Sequence, residues 1–300
     1  MNQEHTILLY YKYIHIKDPE LAKIEQKAIC EVLGLTGRII VAHEGINGTI
    51  EGTTTDCEKY IAWMNQQKYF KNIDWKKSIG DGTSFPKLSV KVRNEIVSLH
   101  LVDDGWDIDP TKMTGKRLKA EELNKMYEKG EEFYIVDMRN DYELEVGKFE
   151  GTVFPGLENF RDLKERVKEI EHLKNKKVVT VCTGGVRCEK ASGFLLSQGF
   201  KDVAQLHNGM VTYMEKFPNK AFKGSLYVFD KRKTVTFDDK DSHIVIGICH
   251  YCTGPTENYF DCAYPFCHKQ KLGCVECVDE KSGYCTDNCQ VLHEKYLIKS

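Results

Sequence analysis

The stretch "KKVVTVCTGGVRCEKASGFLLSQG" (residues 176–199) decides the fold of the region around it. Its opening, "VVTV", is an unbroken apolar and β-branched run, the pattern of a parallel strand buried on both faces. Two glycines follow, and then "VRCEKASGFLLSQG" carries helical spacing up to a stop at Gly199. Cys182 therefore sits where a strand ends and a helix begins, the position at which open α/β sheets bind ligands. Gly184 and Gly185 let the loop curl so that backbone N–H groups converge, and the helix start adds the positive end of its dipole. Arg187 brings a full positive charge, so the loop favours a thiolate, and the Cys182 pKa is expected well below the roughly 8.5 of a free thiol.

Loop length separates two chemistries. A phosphatase cradle needs arginine six residues after cysteine to close around a phosphoryl group, but here the sixth position is Cys188 and arginine comes one residue early. The Cys182–Arg187 loop encloses a smaller volume, better matched to the terminal sulfur of a persulfide.

Outward from this loop, "EEFYIVDMRNDYE" (131–143) and "VAQLHNG" (203–209) read as further strands, so the middle of the chain alternates strand and helix. The N-terminal third differs. "HTILLYYKYI" (5–14) is a strand, "DPELAKIEQKAICEVLG" (18–34) a helix with Asp18 as N-cap, Pro19 at its first position and Gly34 as stop. "RIIVA" and "GTIEG" flank "HEGINGT", where Asn47-Gly48 signals a hairpin turn. "TTDCEKYIAWMNQQ" (54–67) is a second helix, and "PKLSVKVRNEIVSLH" (86–100) holds a last strand. The order βαββαβ predicts a ferredoxin-like α+β domain. "DDGWDIDPTKMTGKRL" (103–118) reads as a polar connector, and short strands "SLYVFD" and "HIVIGIC" lead into a cysteine-crowded tail. The fold class is α/β and α+β multidomain: a ferredoxin-like (acylphosphatase-like) domain over 1–102, a linker over 103–118, an α/β domain with a parallel sheet over 119–220, and a cysteine-rich extension over 221–300.

Composition narrows the function. A net charge of −2 supplies no global field for nucleic acid, so RNA contact must be local. The N-terminus has no basic, apolar and small-residue sequence of a signal peptide, and no apolar run approaches the roughly 18 residues of a membrane span, which predicts a cytoplasmic protein with no membrane partner. Of 12 cysteines, eight lie after residue 248, which in such a protein points to metal or reactive thiols rather than disulfides.

"VDMRNDYE" (136–143), "CTGGVRCEKAS" (182–192) and "LHNGMVTY" (206–213) together resemble the rhodanese-like domain, with Cys182 at its active-site cysteine. With "RIIVAHEGINGTIEG" (38–52) upstream, "LYVFDKR" (226–232) and "GICHYC" (247–252) downstream, essentially the whole chain resembles the rhodanese-containing bacterial tRNA uridine hydroxylases. Lys148 in "VGKFEGT" and the single glycine of "HNGM" depart from that pattern. The resemblance implies oxygen-dependent hydroxylation of the wobble uridine at carbon 5, with the tRNA anticodon loop as partner, molecular oxygen as co-substrate and Cys182 as catalytic thiol. Thr183, Gly184, Gly185, Val186 and Arg187 complete its loop. No nucleotide-cofactor fingerprint is evident. A sulfurtransferase that passes persulfide sulfur to a small acceptor, and a redox-sensing RNA- or protein-binding module, are the alternatives.

The tail holds close pairs Cys249/Cys252, Cys262/Cys267, Cys274/Cys277 and Cys285/Cys289, enough for two four-cysteine zinc sites whose pairing spacing does not reveal. His250 and His268 are read as bystanders. Cys188 is either a resolving thiol for Cys182 or a small apolar residue of the first helical turn. Asp137 and Arg139 either brace the loop or form an ordinary cap and ion pair. "KYFKNIDWKK" (68–77) interleaves lysines with aromatics that could stack on a loop base, against the plainer reading of a solvated loop with anchored aromatics. Glu44 and Asn47 either line a cleft or simply make the hairpin, and the turn accounts for them.

Overall fold

The β1 strand (His5–Tyr13) organises the N-terminal domain. In the computed structural model, which describes residues 4–101, 104–238 and 241–297, it is followed by α1 (Pro19–Val32), β2 (Thr36–Ala42), β3 (Gly45–Thr53), α2 (Thr54–Gln66), β4 (Lys76–Gly80) and β5 (Leu88–Val92). The helix starts as expected: the Asp18 carboxylate accepts the Leu21 N–H at 3.0 Å, and Pro19 presets the first turn. The sheet order is β4-β1-β3-β2-β5, antiparallel except for the parallel β2–β5 edge. Even-numbered residues of β1, Leu8 and Tyr10, pack into the core beneath the helices with Cys30, Cys57, Tyr60 and Met64.

Asn47-Gly48 does not form the hairpin turn. The chain reverses at His43–Glu44, and Asn47 and Gly48 lie inside β3 opposite Tyr11 and Tyr10. Glycine is required at 48 by packing: a Cβ there would lie 2.4 Å from Tyr10 Cζ. Gly45 makes the reversal, at φ +151° and against the Lys12 carbonyl.

Of the stretch 103–118, residue 103 lies outside the described residues. Ile108 is buried with Leu99 and Leu101 in the second core, and β6 (Lys116–Leu118) pairs with the sheet. Backbone groups at an edge seek partners, and the neighbouring strand offers a row of them. Then come α3 (Ala120–Lys129) and β7 (Tyr134–Asp137), α4 (Asp141–Leu144) and β8 (Gly147–Phe149), β9 (Thr152–Val153), α5 (Leu163–Arg166), β10 (Lys177–Val181), α6 (Val186–Ser197), β11 (Asp202–Leu206) and α7 (Gly209–Lys216). The sheet β6-β11-β10-β7-β9 is parallel throughout, with β10 at its centre.

The chain divides into two units: residues up to Arg139 with Gly151–Lys216, and Asn140–Glu150 with Phe217 onward. β8 is antiparallel to β12 (Phe222–Gly224), which draws α4 and β8 into the second unit. That unit adds the pairs β13 (Leu226–Tyr227) with β14 (Thr234–Val235) and β15 (Tyr259–Asp261) with β16 (Gln270–Leu272), then α8 (Val275–Glu280) and α9 (Asp287–Leu297). "HIVIGIC" is not a strand; it contributes one bridge, Ile248 to Pro255. Val146, Tyr227, Tyr259 and Leu272 form one small core, and Phe260 with Cys285 and Cys289 another. Among the described residues no helix is long and apolar enough to cross a membrane.

Candidate active site and metal clusters

Cys182 follows β10 directly, and its sulfur is buried. The Gly185 N–H donates to Sγ at 3.2 Å, and Gly185 adopts φ +97°, which an L side chain resists. The loop is pinned from below, since Met210 N–H donates to the Cys182 carbonyl at 3.0 Å and Val211 N–H to that of Thr183 at 3.1 Å. Gly209 permits that approach: at φ +73°, a Cβ on it would stand 2.5 Å from the Thr183 oxygen. Arg187 Nη2 donates to Thr183 Oγ1 at 3.3 Å and closes the loop upon itself.

Burial alone would raise the Cys182 pKa. The Cys188 thiol, the Arg187 charge and the N–H groups of Cys188 and Gly185 outweigh it and bring the thiol below its ordinary value. Cys188, equally buried and beside this thiolate, is driven the other way. Of the two neighbouring sulfurs, Cys182 is thus the more acidic. Asp137 and Arg139 are both fully buried and joined by 3.0 Å (Nε to Oδ1) and 2.8 Å (Nη2 to Oδ2) bonds. Between them, Met138 N–H donates to the Val181 carbonyl at 2.9 Å, which ties this turn to the strand end that precedes Cys182.

The other wall of the site comes from the N-terminal domain. Alternate residues of β1 meet the cysteine loop: a Cβ on Gly184 would touch Leu9, one on Gly185 would touch the Tyr11 hydroxyl, and Tyr13 Oη donates to the Val186 carbonyl at 3.2 Å. Tyr11 Oη also donates to Glu189 at 3.3 Å, and Arg117 holds that carboxylate with two 3.0 Å bonds. Lys190, fully buried, clamps the domains through Glu95 at 2.7 Å, Glu44 at 2.8 Å and Asp107 at 3.0 Å. Glu44 is thus more than a turn residue, since its other oxygen accepts the Ile96 N–H. Sequence reasoning missed this wall, although a signal was present. "LLYYKY" is apolar or aromatic on both strand faces, while a ferredoxin-like sheet covers only one with helices, so the second face needed a partner.

The "KYFKNIDWKK" segment offers no free stacking platform. Phe70 is buried, Trp75 packs 4.6 Å from the Tyr10 ring, and Lys76 is buried at the start of β4, whereas Lys68, Lys71 and Lys77 are exposed.

The tail cysteines gather as Cys249, Cys252, Cys274 and Cys277, and as Cys262, Cys267, Cys285 and Cys289. Four thiolates about 2.3 Å from a tetrahedral ion stand about 3.8 Å from one another. The observed separations match: 3.8 Å for Cys249–Cys274 and Cys252–Cys274, 3.6 Å for Cys267–Cys285 and Cys267–Cys289, 3.7 Å for Cys285–Cys289. Each cluster can hold one metal ion, and the pairing that spacing left open is first with third and second with fourth. His250 Nε2–H donates to the Cys285 carbonyl at 2.9 Å instead of joining either set.

Fold and site together define a rhodanese-like protein with an acylphosphatase-like N-terminal domain. Family models agree: a UPF0176 acylphosphatase like domain matches residues 5–96, a rhodanese-like domain 119–216 and a rhodanase C-terminal segment 223–290. The chain is 40% identical over 293 residues to the tRNA uridine(34) hydroxylase of Cytophaga hutchinsonii, covering 98% of this chain and 92% of that one. It is 41% identical over 302 residues to the protein of that name from Bacillus cytotoxicus, and 39% over 302 residues to that from Bacillus licheniformis, in both cases covering 100% of this chain and 92% of the relative. The chain belongs to the tRNA uridine(34) hydroxylase family.

Proposed function

We propose that this protein hydroxylates uridine 34 of tRNA at carbon 5, with dioxygen as co-substrate and Cys182 as the nucleophile. The observation that carries the reading is full-length identity near 40% to proteins named for that activity, joined to a loop that holds one thiol as thiolate. The Cys182 sulfur adds to carbon 6 of the uracil, and the ring becomes an enolate whose carbon 5 adds dioxygen to give a hydroperoxide. Loss of the carbon-5 proton expels the Cys182 thiolate, and the neighbouring Cys182 and Cys188 thiols then supply two electrons, joining in a disulfide as the hydroperoxide is reduced to the 5-hydroxyl and water. Thr183, Gly184, Gly185, Val186 and Arg187 form the cradle, Cys188 is the resolving thiol, and Asp137 and Arg139 keep the strand end in place. Because Cys182 is fully buried and Leu9 and Tyr11 of β1 pack on Gly184 and Gly185 of its loop, the base enters when the β1 face lifts from the loop.

The anticodon loop is the partner, and zinc fills both cysteine clusters. Zinc there supplies folding energy that the small cores of the second unit lack, and it takes no part in the chemistry at Cys182.

The test is mass spectrometry of tRNA nucleosides from a strain that lacks this protein and any parallel hydroxylation route, complemented with wild type or Cys182→Ala. 5-Hydroxyuridine derivatives restored by wild type alone support the reading. Unchanged nucleosides, together with sulfur transfer from thiosulfate, would assign Cys182 to persulfide chemistry instead.

A further inference from the structure

Lys76 is a buried cation whose ammonium makes no hydrogen bond in the resting site. It stands opposite Leu9 in the β1–β4 register, and so on the sheet face turned to the cysteine loop. It is only 6% exposed, and its Nζ has no hydrogen-bond partner. The ammonium lies 4.7 Å from the centre of the Tyr11 ring, whose hydroxyl reaches Glu189 and packs at Gly185. Burial pulls its pKa to about 8 against the opposing pull of Asp74, Cys182, Glu189 and Glu215, which leaves it mainly charged at neutral pH. Across the same rim, His207 interacts electrostatically with Lys76, its Nε2 is 3.4 Å from Asp74, and its buried Nδ1 has no partner.

A buried ammonium without a hydrogen bond is costly and calls for an anion. The resting thiolate does not require it, because Cys182 Sγ already has the Gly185 and Cys188 N–H groups, the Cys188 thiol and the Arg187 charge from its own loop. Lys76 comes from the other domain, on the side from which the base must enter. The charge it can serve is the one that leaves the sulfur during reaction.

We infer that Lys76 is the oxyanion donor of the site, its ammonium hydrogen-bonding the uracil oxygen at carbon 4 as Cys182 adds to carbon 6. The inference rests on the carbon-6 addition described above. In that step the thiolate lone pair forms the S–C6 bond, the C5–C6 π pair moves to C5–C4, and the C4 carbonyl pair settles on oxygen, so one negative charge passes from sulfur to oxygen. No electron is lost, and reversal expels the thiolate. The N-terminal domain thereby contributes a catalytic residue to the rhodanese-like loop.

The adduct predicts an oxygen-independent reaction: carbon 5 takes a proton from water, returns its own, and the adduct reverses. Full-length protein and tRNA carrying 5-tritiated uridine are incubated without oxygen, and tritium release to water is measured. Wild type should release tritium and Cys182→Ser should not. Lys76→Met should release it about a hundred-fold more slowly, the size of effect seen when one oxyanion donor is removed. Its tRNA affinity should stay at the wild-type value, the pH midpoint of Cys182 alkylation should rise by less than in Arg187→Ala, since Lys76 and Cys182 attract each other only in addition to the loop's own groups, and Lys76→Arg should recover part of the rate. Lys76→Gln, which keeps a polar side chain, is run in parallel with thermal melts, so a fold defect in one variant leaves the comparison standing. Release at wild-type rate from a folded Lys76→Met or Lys76→Gln protein would overturn the inference. So would a loss accompanied by an alkylation midpoint raised as far as in Arg187→Ala, or by weakened tRNA binding, which would place Lys76 with the thiolate or with affinity. Wild type that hydroxylates in air yet releases no tritium would refute carbon-6 addition and this role with it, whereas wild type that leaves uridine 34 unmodified in air would refute the proposed activity itself.

Discussion

Replacing Lys190 with methionine should cost this protein about 3 kcal/mol at neutral pH and loosen the wall over Cys182. The side chain volume is nearly kept, so the loss is electrostatic. Lys190 faces three carboxylates: Glu95 at 5% side-chain exposure, Glu44 at 13% and Asp107 at 37%. Removing one partner of a buried pair typically costs about 3–5 kcal/mol, because the remaining charge stays desolvated and alone. Three features favour the lower end of that range. Asp107 is exposed enough for water to screen it, Glu44 keeps the Ile96 N–H at 2.7 Å, and Glu95 keeps the His100 N–H at 2.7 Å. Burial already raises the Glu44 pKa even with Lys190 opposing it, so the variant should raise it further. A carboxyl whose folded pKa lies above the roughly 4.3 of the unfolded chain takes up protons on folding, so the variant loses stability as pH rises through that interval. The deficit relative to wild type should therefore be full at pH 7 and shrink towards pH 4. Urea unfolding of the full chain, followed by tryptophan fluorescence at both pH values, measures it. A deficit under about 1 kcal/mol at pH 7, or one that grows on acidification, would refute the account of Lys190 as a buried clamp.

Iodoacetamide should label Cys182 with a pH midpoint well below that of a free thiol, and Arg187→Ala should move the midpoint up by about one pH unit, as loss of an adjacent opposite charge does. An alkaline midpoint in wild type would contradict the thiolate assignment. The full chain should carry two metal ions by elemental analysis; Cys274→Ser should remove one and Cys285→Ser the other, and a strong chelator should unfold the second unit while the Cys182 loop keeps its alkylation profile. One ion per chain, or loss of both in either single variant, would contradict two independent clusters.

The cysteine loop was legible in the sequence because its determinants are local. A β-branched run, a glycine pair and a helix start lie within a dozen residues, and each acts through its own backbone preference. The Asn47-Gly48 reading failed for the opposite reason: the glycine answers to Tyr10 on another strand, a packing demand that mimics a turn signal. The packing of 104–118 was not legible because its polar residues mask one buried anchor, Ile108, and because edge pairing of Lys116–Leu118 depends on backbone groups that every sequence possesses. Glu44 looked like a turn residue since its partner, Lys190, lies 146 positions away.

By itself the sequence determined the order of strands and helices, the thiol at the head of α6, and the supply of eight metal-binding sulfurs, all properties of neighbours along the chain. Only the tertiary structure decided which cysteine pairs share a site, that β1 roofs the Cys182 loop, and that Lys76 is buried without a hydrogen bond on the sheet face turned to it. Those facts depend on distances between side chains far apart in sequence. Such distances are set by how two sheets pack face against loop, a geometry to which no local pattern of residues is bound.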